Sequence, residues 1–299
     1  MDTPSPAQDH QDIREEVAKL CAAFPGEYWQ KLDRESAYPQ EFVNALTEGG
    51  WLSALIPEEY GGSGLPLSAA AAILEEIQKS GCNGGACHAQ MYIMGALLRH
   101  GNEEQKRTYL PKIAAGELRL QAFGVTEPTS GTDTTSIKTF AERRGNVYVV
   151  NGQKVWTSRA EHSDLMLLLA RTTPKDKVAK KTDGLSVFIV DMAKARNNGL
   201  TIKPIRAMMN HAATEVFFDN VKVPVENRIF HENQGWTCAK DLLAHERSGI
   251  AGVARSKRGL ERLREMATTE QSDFGGPLLA DPFFKRKVAE LEIDLTALE

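Results

Sequence analysis

Apolar residues recur at helical spacing through the first third of the chain. Ile13, Val17 and Leu20 lie three or four positions apart, so we predict a helix over residues 12–24, after a disordered tail at residues 1–10. A second helix is opened by Pro39 and stopped by Gly49-Gly50. Further helices are predicted over residues 67–79, 86–100 and 103–115, with a loop at residues 56–62. The first 120 residues are therefore predicted to be all helical.

From residue 121 the pattern changes to short runs rich in β-branched and aromatic residues. These runs are VYVV, LMLLLA, LSVFIV, LTIKPI and EVFFDNVKVP, and polar turns separate them. Asn151-Gly152 is a strong turn signal, so residues 146–150 and 154–158 are predicted to form a hairpin. The lysine-rich insert at residues 174–182 is interpreted as a solvated loop in preference to a basic ligand patch.

Helical spacing returns near the C-terminus. One long amphipathic helix is predicted over residues 236–268, and another begins at Asp281-Pro282 and runs to the final residue. The fold class is therefore predicted to be α+β. We expect an N-terminal all-α domain at residues 1–120, a middle β-barrel-like domain at 121–232, and a C-terminal helical bundle at 233–299. No cap or turn signal closes the last helix, so this bundle is expected to be incomplete.

Composition narrows the class of protein. The 299 residues are 41% hydrophobic and 25% charged, which is enough to bury a sizeable core. A net charge of −4 with interspersed signs gives no nucleic-acid or membrane-surface footprint. The acidic N-terminus resembles neither a secretory signal nor a transit peptide, so a cytoplasmic location is expected. The four cysteines lack metal-ligand spacing and are expected to be reduced.

The clearest candidate chemistry lies in residues 121–158. Val125 to Pro128 end a strand-like segment, and residues 129–133 form a turn of small and hydroxyl residues that can bring backbone N–H groups to a polar ligand. Trp156, Thr157 and Ser158 end the returning strand, so a planar aromatic ligand could lie between this strand and the Thr126 turn. The alternative is that Trp156 belongs to ordinary half-buried sheet surface.

The order VTEP, Gly-x-Asp and NGQKVWTS resembles that of the acyl-CoA dehydrogenase superfamily. The resemblance extends from about Asp12 to the last residue and includes the PEEYGG loop at residues 57–62. It implies FAD as the cofactor. The residues that the resemblance assigns to flavin binding are Phe123, Val125, Thr126, Gly131, Thr132, Trp156, Thr157 and Ser158. Thr132 is also expected to meet the thioester or pantetheine end of the substrate, and no metal is implied.

The resemblance also implies a reaction, in which an acyl-CoA thioester is oxidised to a 2-enoyl-CoA. A carboxylate removes the α-proton and the β-hydrogen leaves as hydride to the flavin. Glu246 matches the family branch that places its base at this helix position, beside Arg247, which is expected to contact substrate. The alternative is that Glu246 and Arg247 form an ordinary ion pair. Because Glu246 is expected to share an apolar helix face with Leu243, a functional role is favoured.

Other polar residues near the expected site are given lesser roles. His211 could line the pocket, although a structural histidine is the preferred interpretation. Glu127 and Asp133 are expected to serve hydrogen bonding of the flavin loop and to transfer no proton. Gln271 stands where the family usually has an Arg that contacts the FAD pyrophosphate of a neighbouring subunit. This difference weakens the case for homomeric FAD binding and suggests a partner subunit.

The resemblance further implies an electron-transfer flavoprotein as the electron acceptor and a homo- or hetero-oligomeric assembly. Three alternatives stay open on the same scaffold: an acyl-CoA oxidase, a flavin-dependent monooxygenase, and a non-catalytic scaffold subunit. Family members usually continue with further helices, so activity of this chain alone is an open question. The acyl group itself depends on pocket volume, which the sequence does not give.

Overall fold

The computed structural model describes residues 10–209, 211–246, 252–273 and 275–298. The predicted disordered tail lies outside these residues, apart from His10. The chain divides into two compact units. The large unit comprises Glu27–Ala70 and Gly85–Arg247, and the small unit comprises Met1–Gly26, Ala71–Gly84 and Ser248–Glu299. Each unit is described by itself below.

The helices of the first part of the chain follow the predicted pattern closely. Asn102 forms a capping box at the start of the helix Glu103–Ala114. Its side chain accepts a hydrogen bond from the Gln105 backbone N–H, and the Gln105 side chain accepts one from the Asn102 backbone N–H. The sequence analysis missed α2, whose apolar positions are largely aromatic. The six helices are α1 (Gln11–Ala22), α2 (Gly26–Glu35), α3 (Gln40–Glu48), α4 (Leu67–Lys79), α5 (Gly85–His100) and α6 (Glu103–Ala114).

A mixed eight-stranded sheet forms the centre of the large unit. Its strands are β1 (Leu120–Gly124), β2 (Phe140–Arg144), β3 (Val147–Ser158), β4 (Leu165–Arg171), β5 (Leu185–Asp191), β6 (Leu200–Pro204), β7 (Ala213–Pro224) and β8 (Arg228–Ile229). The strand order is β6-β7-β3-β2-β4-β5-β8, and β1 pairs with β4 in parallel. Between the described strands the sheet stays open, so the barrel-like expectation is corrected to an open, mostly antiparallel sheet.

The predicted hairpin turn at Asn151-Gly152 is wrong. β3 runs without interruption through both residues, and the hairpin turn lies at Gly145 and Asn146, between β2 and β3. The register of β3 against β7 shifts between Val150 and Gly152, which indicates a β-bulge. Gly152 has φ +149°, and an added Cβ would lie 2.6 Å from the Thr139 Cα. The glycine therefore permits a bulge and a close backbone approach instead of a turn.

Two apolar clusters cover the two faces of this sheet. One joins α5 and α6 to alternate residues of β4 and β5, such as Leu167 and Val187, and to Leu242 of a helix after the sheet. The other contains the intervening residues, including Leu168 and Phe188. Successive residues of a strand face opposite sides of the sheet, and both sides are covered here. β4 and β5 are therefore apolar and buried along almost their whole length.

The predicted single helix over residues 236–268 is also corrected. After the short helix α7 (Met192–Arg196), which lies between β5 and β6, the described residues form two helices here, α8 (Gly235–Glu246) and α9 (Val253–Ala267). Residues 247–251 lie outside the description. Gly252 has a left-handed conformation with φ +61° at the start of α9. A continuous helix cannot pass through that conformation, so the helical face that ends at Glu246 does not extend to Val253.

The small unit packs helices against each other. Arg14 of α1 donates to Glu75 of α4 at 2.7 Å, and Arg258 of α9 donates to the Lys79 carbonyl at 3.0 Å. The last helix is α10 (Pro282–Leu298), which begins at the predicted Asp281-Pro282 signal. An apolar groove of about 350 Å³ lies between α9 and α10.

All four cysteines are buried and unpaired with one another as disulfides. Burial raises the pKa of Cys87 to about 12 and that of Cys238 to about 11. These thiols are therefore protonated at neutral pH and unreactive, as a structural role requires. Within the described residues, none of the helices has the length and apolar character needed to cross a membrane.

Candidate functional site

A buried ion pair links the VTEP turn to β3. Lys154 donates to a Glu127 carboxylate oxygen at 2.8 Å and to the Val125 carbonyl at 2.9 Å. Glu127 also accepts from the backbone N–H groups of Lys138 and Thr139, at 2.6 and 2.9 Å. Burial raises the pKa of Glu127, but the Lys154 charge and these hydrogen bonds outweigh it and lower that pKa. The Glu127 carboxylate thus holds the turn in place through an ion pair and two backbone hydrogen bonds.

The hydroxyl turn is held by Asp133. Thr135 and Ser136 donate their hydroxyls to the two oxygens of the Asp133 carboxylate, each at 2.5 Å. These hydrogen bonds lower the pKa of Asp133. Ser130 donates its hydroxyl to the Asp133 carbonyl at 2.5 Å. Both acidic residues of the loop therefore make the loop hydrogen bonds that the sequence analysis expected of them.

Trp156 lies at an irregularity of β3, where its backbone departs from strand geometry and its side chain is exposed. Val155 donates to the Thr126 carbonyl at 2.9 Å, and the register of β3 against β7 shifts between Lys154 and Thr157. At this irregularity Trp156 adopts φ +60°, which is rare for a bulky residue, and its side chain is 60% exposed. Such strain is often kept at functional sites. An exposed indole next to the Thr126 turn can stack on a planar ligand, which is the role predicted for Trp156.

The other residues assigned to flavin binding differ in their exposure to solvent. Gly131 and Thr132 are exposed at the turn, whereas Phe123 and Val125 are half-buried and pack against the core. The buried Thr157 hydroxyl has no hydrogen-bond partner among the described residues. An unused buried hydroxyl beside an exposed indole is consistent with a polar group of a bound aromatic ring.

Glu246 is the last residue of α8, and α8 is fixed to α5 close by. His100 of α5 contacts the Asp241 carboxylate at 2.7 Å, and Arg99 hydrogen-bonds the His245 ring. The fully buried positions of α8 include Cys238, Ala239 and Leu242, and Glu246 follows Leu242 by one turn. Glu246 itself is half-buried, whereas Lys240 is exposed. The buried face of α8 therefore reaches Glu246 through Leu242, whereas Leu243, which the prediction placed on this face, is only half-buried. Arg247 and Ile250 lie outside the described residues.

A cluster of polar side chains that sequence reasoning missed lies beside Glu246. Burial lowers the pKa of Arg159, against the smaller opposing effects of Tyr92, Tyr38 and Glu246. Burial lowers the pKa of His88, against the opposing effect of the backbone at His245 and Glu246, and Arg159 acts electrostatically on Tyr92. Arg159 is the residue directly after Ser158. Its neighbours lie on α5 and α8, so only the fold could reveal the cluster.

Two lesser candidates have other surroundings. His211 contacts the Asp33 carboxylate at 2.8 Å, which agrees with a structural histidine. Gln271 donates to the Thr269 carbonyl at 3.4 Å, while Phe274 lies outside the described residues. The lysine-rich insert is mostly exposed, as a solvated loop requires.

Three family models match nearly the whole chain. The acyl-CoA dehydrogenase N-terminal domain matches residues 7–117, the middle domain residues 122–221, and the C-terminal domain residues 233–299. The chain belongs to the acyl-CoA dehydrogenase family. Members of this family are FAD-dependent flavoproteins. The family assignment and the fold made up of helices, a middle sheet and C-terminal helices are thus confirmed.

Individual relatives agree with the family. The chain is 35% identical over 242 residues to the acyl-CoA dehydrogenase FadE26 of Mycobacterium tuberculosis (strain ATCC 25618 / H37Rv), covering 81% of this chain and 59% of that protein. It is 31% identical to a glutaryl-CoA dehydrogenase of Desulfococcus multivorans, covering 96% and 73%. The solved ChsE4-ChsE5 complex from Mycobacterium tuberculosis matches with TM-score 0.84 and 30% identity, covering 99% and 75%.

The residues present fit FAD. The exposed indole of Trp156, the unpartnered Thr157 hydroxyl and the open space around the Cα of Gly131 provide a stacking surface, a polar contact and room for close approach. The Glu127–Lys154 pair holds the turn and the strand that carry these groups in one place.

Proposed function

We propose that the protein catalyses FAD-dependent α,β-dehydrogenation of an acyl-CoA thioester to a 2-enoyl-CoA. One observation carries the proposal. Leu242, one turn before the candidate base Glu246, belongs to the apolar cluster against which Phe123 and Val125 of the candidate flavin segment pack. The candidate base and the candidate flavin wall therefore belong to one region of the large unit.

In this proposal Glu246 removes the α-proton of the thioester. Its half-buried position after an apolar turn of α8 limits the water around the carboxylate, and the contacts from Arg99 and His100 fix that end of the helix. FAD, when bound, supplies the acceptor for the hydrogen and electron pair that leave the β-carbon. Trp156 and the 123–132 segment hold and orient the cofactor, while Thr132 and Arg247 are proposed to contact the substrate.

We further propose a partner for the electrons and for the assembly. An electron-transfer flavoprotein is the proposed acceptor, by similarity to the family. Gln271 replaces a charge-assisted contact with a neutral one, which favours a hetero-oligomer in which another subunit completes the FAD contact. The similarity to a solved two-component complex agrees with that choice. Because the four cysteines are buried and no disulfide joins them, a reducing cytoplasmic location is also proposed.

Purification and anaerobic titration test the proposed reaction. The protein, supplied with FAD, should be yellow and should lose its flavin absorbance when an acyl-CoA is added without oxygen, with formation of the enoyl-CoA. Hydrogen peroxide produced in air at the rate of turnover would instead indicate an oxidase. A protein that stays colourless with added FAD and binds no acyl-CoA would contradict the proposal and favour a scaffold subunit.

A further inference from the structure

Arg159 is a half-buried cation with one buried, unpartnered donor near the candidate base. Its Nε is buried and has no hydrogen-bond partner among the described residues. A guanidinium stays charged in proteins, and a buried donor without an acceptor is unfavourable. The Nε donor can therefore take an acceptor that the described residues do not supply.

The backbone of Arg159 is held firmly. Its N–H donates to the Ala212 carbonyl at 2.7 Å, and its carbonyl accepts from the His162 N–H at 3.1 Å and from the Ser163 hydroxyl at 2.8 Å. Its φ is +60°, in the left-handed region that a non-glycine residue rarely adopts. Three hydrogen bonds therefore fix the backbone from which the Arg159 side chain extends, which reduces the cost of ordering it on a ligand.

The side chains around Arg159 are polar. The hydrocarbon chain of a neutral acyl group would need apolar contacts instead. The Tyr92 hydroxyl interacts with the guanidinium, and His88 packs against the Tyr92 ring with centroids 5.0 Å apart. His88 Nε2 is a second buried atom without a described partner. Tyr38, whose pKa also responds to Arg159, stacks on His162 at 4.2 Å. A saturated hydrocarbon chain would leave these groups dry and unbonded.

Glu246 is a carboxylate that acts electrostatically on Arg159. If Arg159 served only to neutralise Glu246, its loss would affect every acyl-CoA alike. If Arg159 binds substrate, its loss would affect only acyl groups that carry an acceptor. The two roles therefore differ in a measurable way.

Resting on the proposed function, we propose that the acyl group carries a carboxylate at the end remote from the thioester and that Arg159 binds this carboxylate. A carboxylate has two acceptor oxygens, which match the guanidinium together with a further donor such as the Tyr92 hydroxyl or the His88 ring. Arg159 takes part in no bond-making step. Its role is to select the acyl-CoA monothioester of a dicarboxylic acid over the neutral acyl-CoA of equal length.

Unreactive thioethers separate binding from turnover. S-alkyl-CoA and S-(ω-carboxyalkyl)-CoA of matched chain length lack the thioester carbonyl, so neither undergoes dehydrogenation. Calorimetric titration of the FAD-loaded protein across a series of chain lengths should show at least one length at which the carboxylated analogue binds about 10-fold or more tightly. Arg159→Met should abolish that preference by weakening the carboxylated analogue and leaving the alkyl analogue unchanged or tighter.

Two variants complete the design. Arg143→Met makes the same substitution at an exposed strand position and should change neither affinity. Tyr92→Phe keeps the ring and removes only the hydroxyl, so it should reduce the preference even if Arg159→Met fails to fold. Equal or tighter binding of the alkyl analogue at every length, or equal weakening of both analogues in Arg159→Met, would overturn the inference about Arg159 alone. Binding of neither series would overturn the acyl-CoA proposal itself.

Discussion

The Glu127–Lys154 pair should be a major stabilising element of the large unit, and Glu127→Gln tests this directly. The two side chains are 4% and 0% exposed, with 2.8 Å between the oxygen and the nitrogen. Removing one partner of a buried ion pair destabilises a protein by about 3–5 kcal/mol. The variant can relieve the unpaired charge by releasing the Lys154 proton. From the ordinary pKa of 10.5, that release at pH 7 costs about 5 kcal/mol, which sets the upper bound.

The pH dependence of this effect has a definite sign. Burial already lowers the pKa of Lys154 to about 8, and loss of Glu127 lowers it further. Between the pKa of Lys154 in the folded variant and the ordinary value of 10.5, the folded variant binds fewer protons than the unfolded chain, so its stability rises with pH. The deficit relative to the unaltered protein should shrink by up to about 1.4 kcal/mol from pH 7 to 8. Above about pH 8 it should level off, because Lys154 of the unaltered protein then releases its proton as well.

Urea unfolding followed by circular dichroism at several pH values measures both quantities. Glu142→Gln is the matched control, since its partner Arg144 and Glu142 are 61% and 53% exposed and their pair should contribute less than about 1 kcal/mol. A second variant, Glu127→Gln with Lys154→Met, should recover much of the lost stability, because no buried charge is left unpaired. A Glu127→Gln deficit as small as that of the control, or one that does not vary with pH, would refute the reasoning.

Three other predictions concern the flavin wall and the bulge. Trp156→Ala should reduce or abolish bound flavin, measured by the absorbance of the purified protein; full flavin content with an unchanged spectrum would count against this wall. Thr132→Val should raise the apparent KM for acyl-CoA more than it lowers flavin content, and the reverse order would assign Thr132 to the cofactor. Gly152→Ala should destabilise the protein by roughly 1–3 kcal/mol, because its Cβ meets the Thr139 backbone; thermal melting equal to that of the unaltered protein would show that the bulge can relax.

Local signals in the sequence were sufficient for most helices and strands. Local patterns predict a helix at two places without any information from distant residues. They are the capping pair Asn102 and Gln105 and the apolar spacing of α5. Asn151-Gly152 shows the limit of such signals. The same dipeptide suits a tight turn or a bulge, and only pairing of β3 with both β2 and β7 decides between them.

The candidate site was only half visible in the sequence. The flavin wall lies within one continuous stretch, so its residues could be named together. The surroundings of Glu246 could not, because Tyr92 and Arg159 are separated from it by long segments and meet it only through the packing of α5, β3 and α8. Arg159, a charged residue directly after Trp-Thr-Ser, could have been named as a candidate from the sequence. Its chemistry, however, depends on which side chains the fold brings near it.

Anaerobic flavin reduction by Glu246→Gln tests the central claim most directly. The substitution keeps the size of the side chain and removes its ability to accept the α-proton. The variant should retain FAD and bind acyl-CoA with near-normal affinity, while the rate of flavin bleaching in stopped-flow measurements falls by several orders of magnitude. Bleaching at close to the rate of the unaltered protein would contradict the account and place the base elsewhere.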